Sequence, residues 1–145
     1  MTSAQMIREL ATRDTIDPHT AAELLGLPIL SVEQVSPVRR EYQLGSNALF
    51  ADATAVVGGR DARWRVIDLV PREMMLDPLL ALMPDAPYEQ RPILKHTDDG
   101  PMLVGMEHHL ALDGGELVIA TRNARIERIT LMKEGVFDRR SCVLR

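Results

Sequence analysis

From Ile29 onward, turn-forming residues cut the chain into short segments of alternating apolar and polar side chains, and this punctuation limits the fold more than any other feature. Ser36-Pro37, Gly45-Ser46-Asn47 and Gly58-Gly59 bound strands predicted at 29–35, 38–44, 48–57 and 62–70. In the second half, Asp98-Asp99-Gly100, Gly114-Gly115 and Asn123-Ala124 separate strands predicted at 89–97, 101–113, 116–122 and 125–132. Strands joined by connections this short pair with their neighbours, so each half predicts an antiparallel meander. Between them, residues 71–84 ("PREMMLDPLLALMP") read as a helix that restarts at Asp77-Pro78, because an interior proline breaks the hydrogen-bond ladder.

The first 27 residues have a different period. Thr2, Ser3 and Gln5 open a helix in capping-box style, with Met6, Ile7 and Leu10 as its apolar stripe. Asp17, Pro18 and Gly26 supply the cap, first position and stop of a second helix. The fold class expected is therefore α+β: N-terminal helices, then an antiparallel meander sheet interrupted by one central helix, with helices on one face. Residues 1–145 read as a single domain in which 1–27 pack on the sheet formed by 29–145. Only 3% of residues are aromatic, so Leu, Val, Ile, Ala and eight methionines must fill the core. Both halves run a strand through a double glycine ("ADATAVVGGRDARWRVI" and "EHHLALDGGELVIATR"), which reads as a shared turn preference rather than a duplication.

A net charge of -4 and few aromatics argue against nucleic acid as a partner. "MMLDPLLALM", the longest apolar stretch, is too short to span a bilayer, so no membrane role is expected. The N-terminus carries Arg8 and Glu9 where a signal peptide is greasy, which points to the cytoplasm unless a leader has been removed. Cys142 lies near the C-terminus with nothing beside it to lower a thiol pKa and reads as inert, and the ending "CVLR" lacks the last residue of a prenylation box. Among seventeen basic residues only Lys95 and Lys133 are lysine, a bias that codon usage in a GC-rich, bacterial-like genome explains more simply than an anionic ligand.

The densest set of site-capable residues is Glu107-His108-His109, with His96, Asp98 and Asp99 nearby. A metal site is not expected, because neighbours on a strand point to opposite faces and His96 falls far along the hairpin from His108. Parity puts His108 inward with Met106 and Leu110, and leaves Glu107 and His109 solvated. With Gly114-Gly115 as the turn, Glu107 should face Arg122 and His108 should face Thr121. His108 is accordingly a core residue, or alternatively the general base or ligand contact of a pocket. Arg63 with Arg65, and Arg39 with Arg40, are the candidate partner or ligand contacts.

No nucleophile elbow and no phosphate-cradling glycine motif occurs. The expectation is a non-catalytic protein-binding domain (inhibitor, immunity-type, chaperone or adaptor) without cofactor or metal, whose partner is another protein or, through a sheet edge or face, a second copy. The alternative is a small-molecule-binding or enzymatic domain with a pocket between sheet and helix, lined by His108 and arginines and holding an anionic compound.

Overall fold

The computed structural model describes residues 1–134; Cys142 and the "CVLR" ending lie outside the described residues. Helix α1 (Ser3–Ala11) begins at the expected box: Thr2 Oγ1 accepts from the Gln5 N–H at 3.1 Å, and Gln5 Oε1 accepts from the Thr2 N–H at 2.8 Å. Helix α2 (Pro18–Leu25) is capped by Asp17, which accepts from Thr20 N–H at 3.2 Å, and ends at Gly26 with φ 68°.

Eight strands follow: β1 (Ser31–Ser36), β2 (Arg39–Gln43), β3 (Phe50–Gly58), β4 (Trp64–Pro71), then after helix α3 (Leu76–Ala81) β5 (Tyr88–Thr97), β6 (Gly100–Leu112), β7 (Gly115–Arg122) and β8 (Arg125–Glu134). They form one antiparallel sheet ordered β1-β2-β3-β4-β8-β7-β6-β5, two meanders joined where β4 pairs with β8. In this arrangement the β3–β4 connection corresponds to the β7–β8 turn and not to β6–β7. The two double glycines thus sit at non-equivalent places, and their likeness is not a trace of duplication.

All three helices cover the same sheet face. Ile7, Leu10, Leu25 and Leu79 share one core with Leu44, Ile67, Leu117, Ile119 and Leu131, which alternate with outward residues along their strands. No helix among the described residues is long and apolar enough to cross a membrane.

Helix α3 is shorter than the 71–84 expected. Pro78 fixes where it starts, and the preceding backbone is drawn into extended pairing: Met74 C=O accepts from Ile126 N–H at 2.8 Å, and Ala124 C=O accepts from Leu76 N–H at 3.0 Å. The β6–β7 register also differs from expectation. The turn is Asp113-Gly114, Leu112 faces Gly115, Glu107 faces Ala120 and His108 faces Ile119. Arg122 pairs instead with Glu127 at 3.1 Å. The cause is Gly115, where a Cβ would lie 2.0 Å from the Met132 carbonyl oxygen; this glycine permits close approach to β8 and leaves Gly114, at φ 71°, to make the turn. A slip of two residues keeps every side chain on its face, so the inward set is unchanged. The β5–β6 turn is Asp98-Asp99, with His96 facing Pro101.

Candidate functional site

The two adjacent histidines of β6 occupy opposite faces, and each is fully engaged. His108 is 3% exposed on the helix side. Its Nε2 lies 2.9 Å from Thr121 Oγ1 and its Nδ1 2.5 Å from the Tyr88 hydroxyl, which also accepts from Gln90 Nε2 at 2.7 Å. Thr121 Oγ1 donates to the Met106 carbonyl at 3.4 Å, so it must accept from Nε2–H, and Nδ1 then accepts from Tyr88. This assigns a neutral imidazole from the network, and burial pushes its pKa below the ordinary value. Thr121 is the partner that parity pointed to, reached along a diagonal rather than directly opposite.

His109 is not solvated as expected. Its side chain is only 13% exposed on the outer face, with Nε2 2.8 Å from Glu107 Oε1 and Nδ1 against Glu116 Oε1. Two carboxylates on the two ring nitrogens require both to be donors, which is the imidazolium. The Glu116 hydrogen bond, assisted by Glu107, raises its pKa against the opposing effects of desolvation and Arg91. Because the two glutamates meet different nitrogens, they do not converge on a point where a metal could sit.

The candidate arginines are not brought together. Arg63 precedes β4 and lies 3.6 Å from Glu134, whereas Arg65 turns inward beneath the α1–α2 loop, donating to the Ile16 carbonyl at 3.4 Å with Asp17 at 3.9 Å. On β2, Arg39 pairs with Glu41 at 2.7 Å, while Arg40 reaches Gln34 at 3.1 Å and Tyr42. Residues 39 and 40 thus point to opposite faces, and neither pair makes a clamp. A buried cation that the sequence reading passed over is Lys133, 2% exposed, in register with Ile129 and Leu131.

The sheet's two edges differ. β5 carries Pro92 and Lys95, and a bulge between Ile93 and Leu94 twists it, all features that block pairing by another strand. β1, "SVEQVS", has no proline or lysine, and Leu30, Val32, Val35 and Val38 on or beside it are each at least half exposed. Comparison with family models, curated proteins and solved structures finds no match.

Proposed function

We propose that this chain is a non-catalytic protein-binding domain, of the inhibitor, immunity-type, chaperone or adaptor kind, that adds an extended segment of its partner to β1. The observation that carries this reading is the asymmetry of the edges: β5 carries a proline, a lysine and a bulge, whereas β1, which has a bulge of its own between Gln34 and Ser36, has neither proline nor lysine and exposes Val32 and Val35. Val32 faces Tyr42 on the helix side, and Glu33 faces Glu41 on the outer side. A complementary strand therefore presents apolar residues toward Val32 and a lysine or arginine toward Glu33. A second copy paired two-fold about Glu33 sets the two carboxylates against each other, so a partner of different sequence fits that register better.

The engagement of both His108 ring nitrogens and the separation of the arginine pairs leave the pocket reading without its expected residues. The test is panning of an extended-peptide library, followed by hydrogen exchange on the complex. Bound peptides alternating apolar and basic residues should protect β1 amides, and Val32→Lys with Val35→Lys should weaken binding about tenfold or more at unchanged fold. Protection at the β5–β6 hairpin instead, self-association through β1, or equal binding by the double variant would overturn the reading.

A further inference from the structure

A cavity of about 530 Å³ opens between the α1–α2 loop, the segment after α3 and the β6–β7 turn, with Lys133 among its lining residues. Its wall is mixed: Leu82, Met83, Ala86 and Leu112 form an apolar part beside Lys133, and Thr12, Arg13, Asp14, Asp85 and Asp113 a polar one. The Lys133 ammonium donates to one acceptor, the Arg13 carbonyl oxygen, and among the described residues no carboxylate comes within 4.0 Å of it. A buried ammonium with one hydrogen bond and no carboxylate in contact, with Asp14 and Asp113 acting on it at longer range, is costly, since it gives up hydration that a single carbonyl does not replace. Three buried side-chain polar atoms lack partners among the described residues, Arg13 Nε, Thr15 Oγ1 and Arg65 Nε, and of these residues Arg13 lines the cavity. Arg65 stands directly opposite Lys133 across β4 and β8, and Arg13 and Thr15 belong to the loop over it. A buried group without a partner calls for an explanation, and for Arg13 Nε and the Lys133 ammonium an anion seated in the cavity supplies one.

We infer that this cavity binds a small monocarboxylate with a short aliphatic body, its carboxylate against the Lys133 ammonium and its chain along Leu82, Met83 and Leu112. Three acidic side chains, Asp14, Asp85 and Asp113, also line the cavity, and they disfavour phosphate or a dicarboxylate, whose added charge would be repelled. Burial lowers the Lys133 pKa against the raising effects of Asp14 and Asp113, so a bound carboxylate should draw a proton onto any neutral amine. The site lies apart from β1, and its occupancy does not depend on the partner reading.

The experiment is a titration of the purified chain with hexanoate, hexanol, acetate and inorganic phosphate, followed by amide NMR and calorimetry. Hexanoate should saturate, shift resonances of residues 11–14, 82–87 and 111–113, and bind more tightly than acetate, while hexanol and phosphate bind at least about tenfold more weakly. Lys133→Met should lose hexanoate by a similar factor. Should that variant fail to fold, Ala86→Trp, which fills the cavity and leaves Lys133 in place, should lose it too. Absence of saturable hexanoate binding, hexanol or phosphate binding as tightly, or full affinity in a folded variant would overturn the proposal.

Discussion

Gly115 on β7 lies directly opposite Lys133 on β8, so close that a side chain at 115 would meet Lys133 Cγ at 2.8 Å as well as the Met132 carbonyl. The missing Cβ is what lets the buried lysine stem cross the seam beneath the α1–α2 loop. Gly115→Ala should therefore destabilise the protein by about 2–3 kcal/mol, since the obstructing atoms include backbone that cannot move aside. At Gly114 a Cβ meets nothing within 4 Å and only the φ of 71° opposes it, so Gly114→Ala should cost nearer 1 kcal/mol. Urea denaturation of both variants checks the order; equal losses would contradict it.

In the chain from Gln90 through Tyr88 and His108 to Thr121, the first two side chains are exposed and the last two buried, so removing either partner of His108 leaves a buried ring nitrogen unpaired. His108→Ala should cost about 1–3 kcal/mol, and Tyr88→Phe, which removes only the hydroxyl, about 1 kcal/mol. A double-mutant cycle between Tyr88→Phe and His108→Ala should be non-additive; additive losses would show that the short contact contributes nothing.

The β7–β8 turn uses Asn123 and Ala124, both left-handed, at φ 53° and 64°. Asparagine tolerates this conformation and alanine does not, while the turn must stay fixed because Ala124 C=O holds the start of α3. Ala124→Gly should stabilise by about 1 kcal/mol, read as a higher melting temperature. An unchanged or lower value would mean that the glycine's extra freedom in the unfolded chain outweighs the relief of strain.

Strand limits, helix caps and the inward direction of His108 were legible because each depends on local chemistry: turn residues, capping side chains and parity. Register was not, since a shift of two residues conserves parity, and what selected the observed one is the contact of Gly115 with β8. The same parity that places Ile129 and Leu131 inside also places Lys133 there, so its burial could have been read from the strand. Its surroundings could not, because the Arg13 carbonyl comes from a loop far away in the chain. The inward turn of Arg65 was hidden for a related reason: nothing local signals that the α1–α2 loop folds over it. His109 was expected in solvent because Glu116 on β7 is a neighbour only in the true register.

The adjacent histidines should respond to pH with opposite sign. His109 has its pKa raised above the ordinary 6.5 by Glu116 and Glu107, so its contribution to stability is complete below that value and is lost as pH rises through the folded-state value. His108 has its pKa lowered by burial, so the fold favours its neutral form; its contribution is present above 6.5 and lost as pH falls toward the folded-state value. The stability difference between wild type and His109→Gln should then be larger at about pH 5.5 than at about pH 8.5, while that for His108→Gln should be larger at the higher pH. NMR titration should place the two imidazoles on opposite sides of 6.5. If both differences change in the same direction, or His109 titrates below His108, the imidazolium between Glu107 and Glu116 is not the state that the folded protein holds.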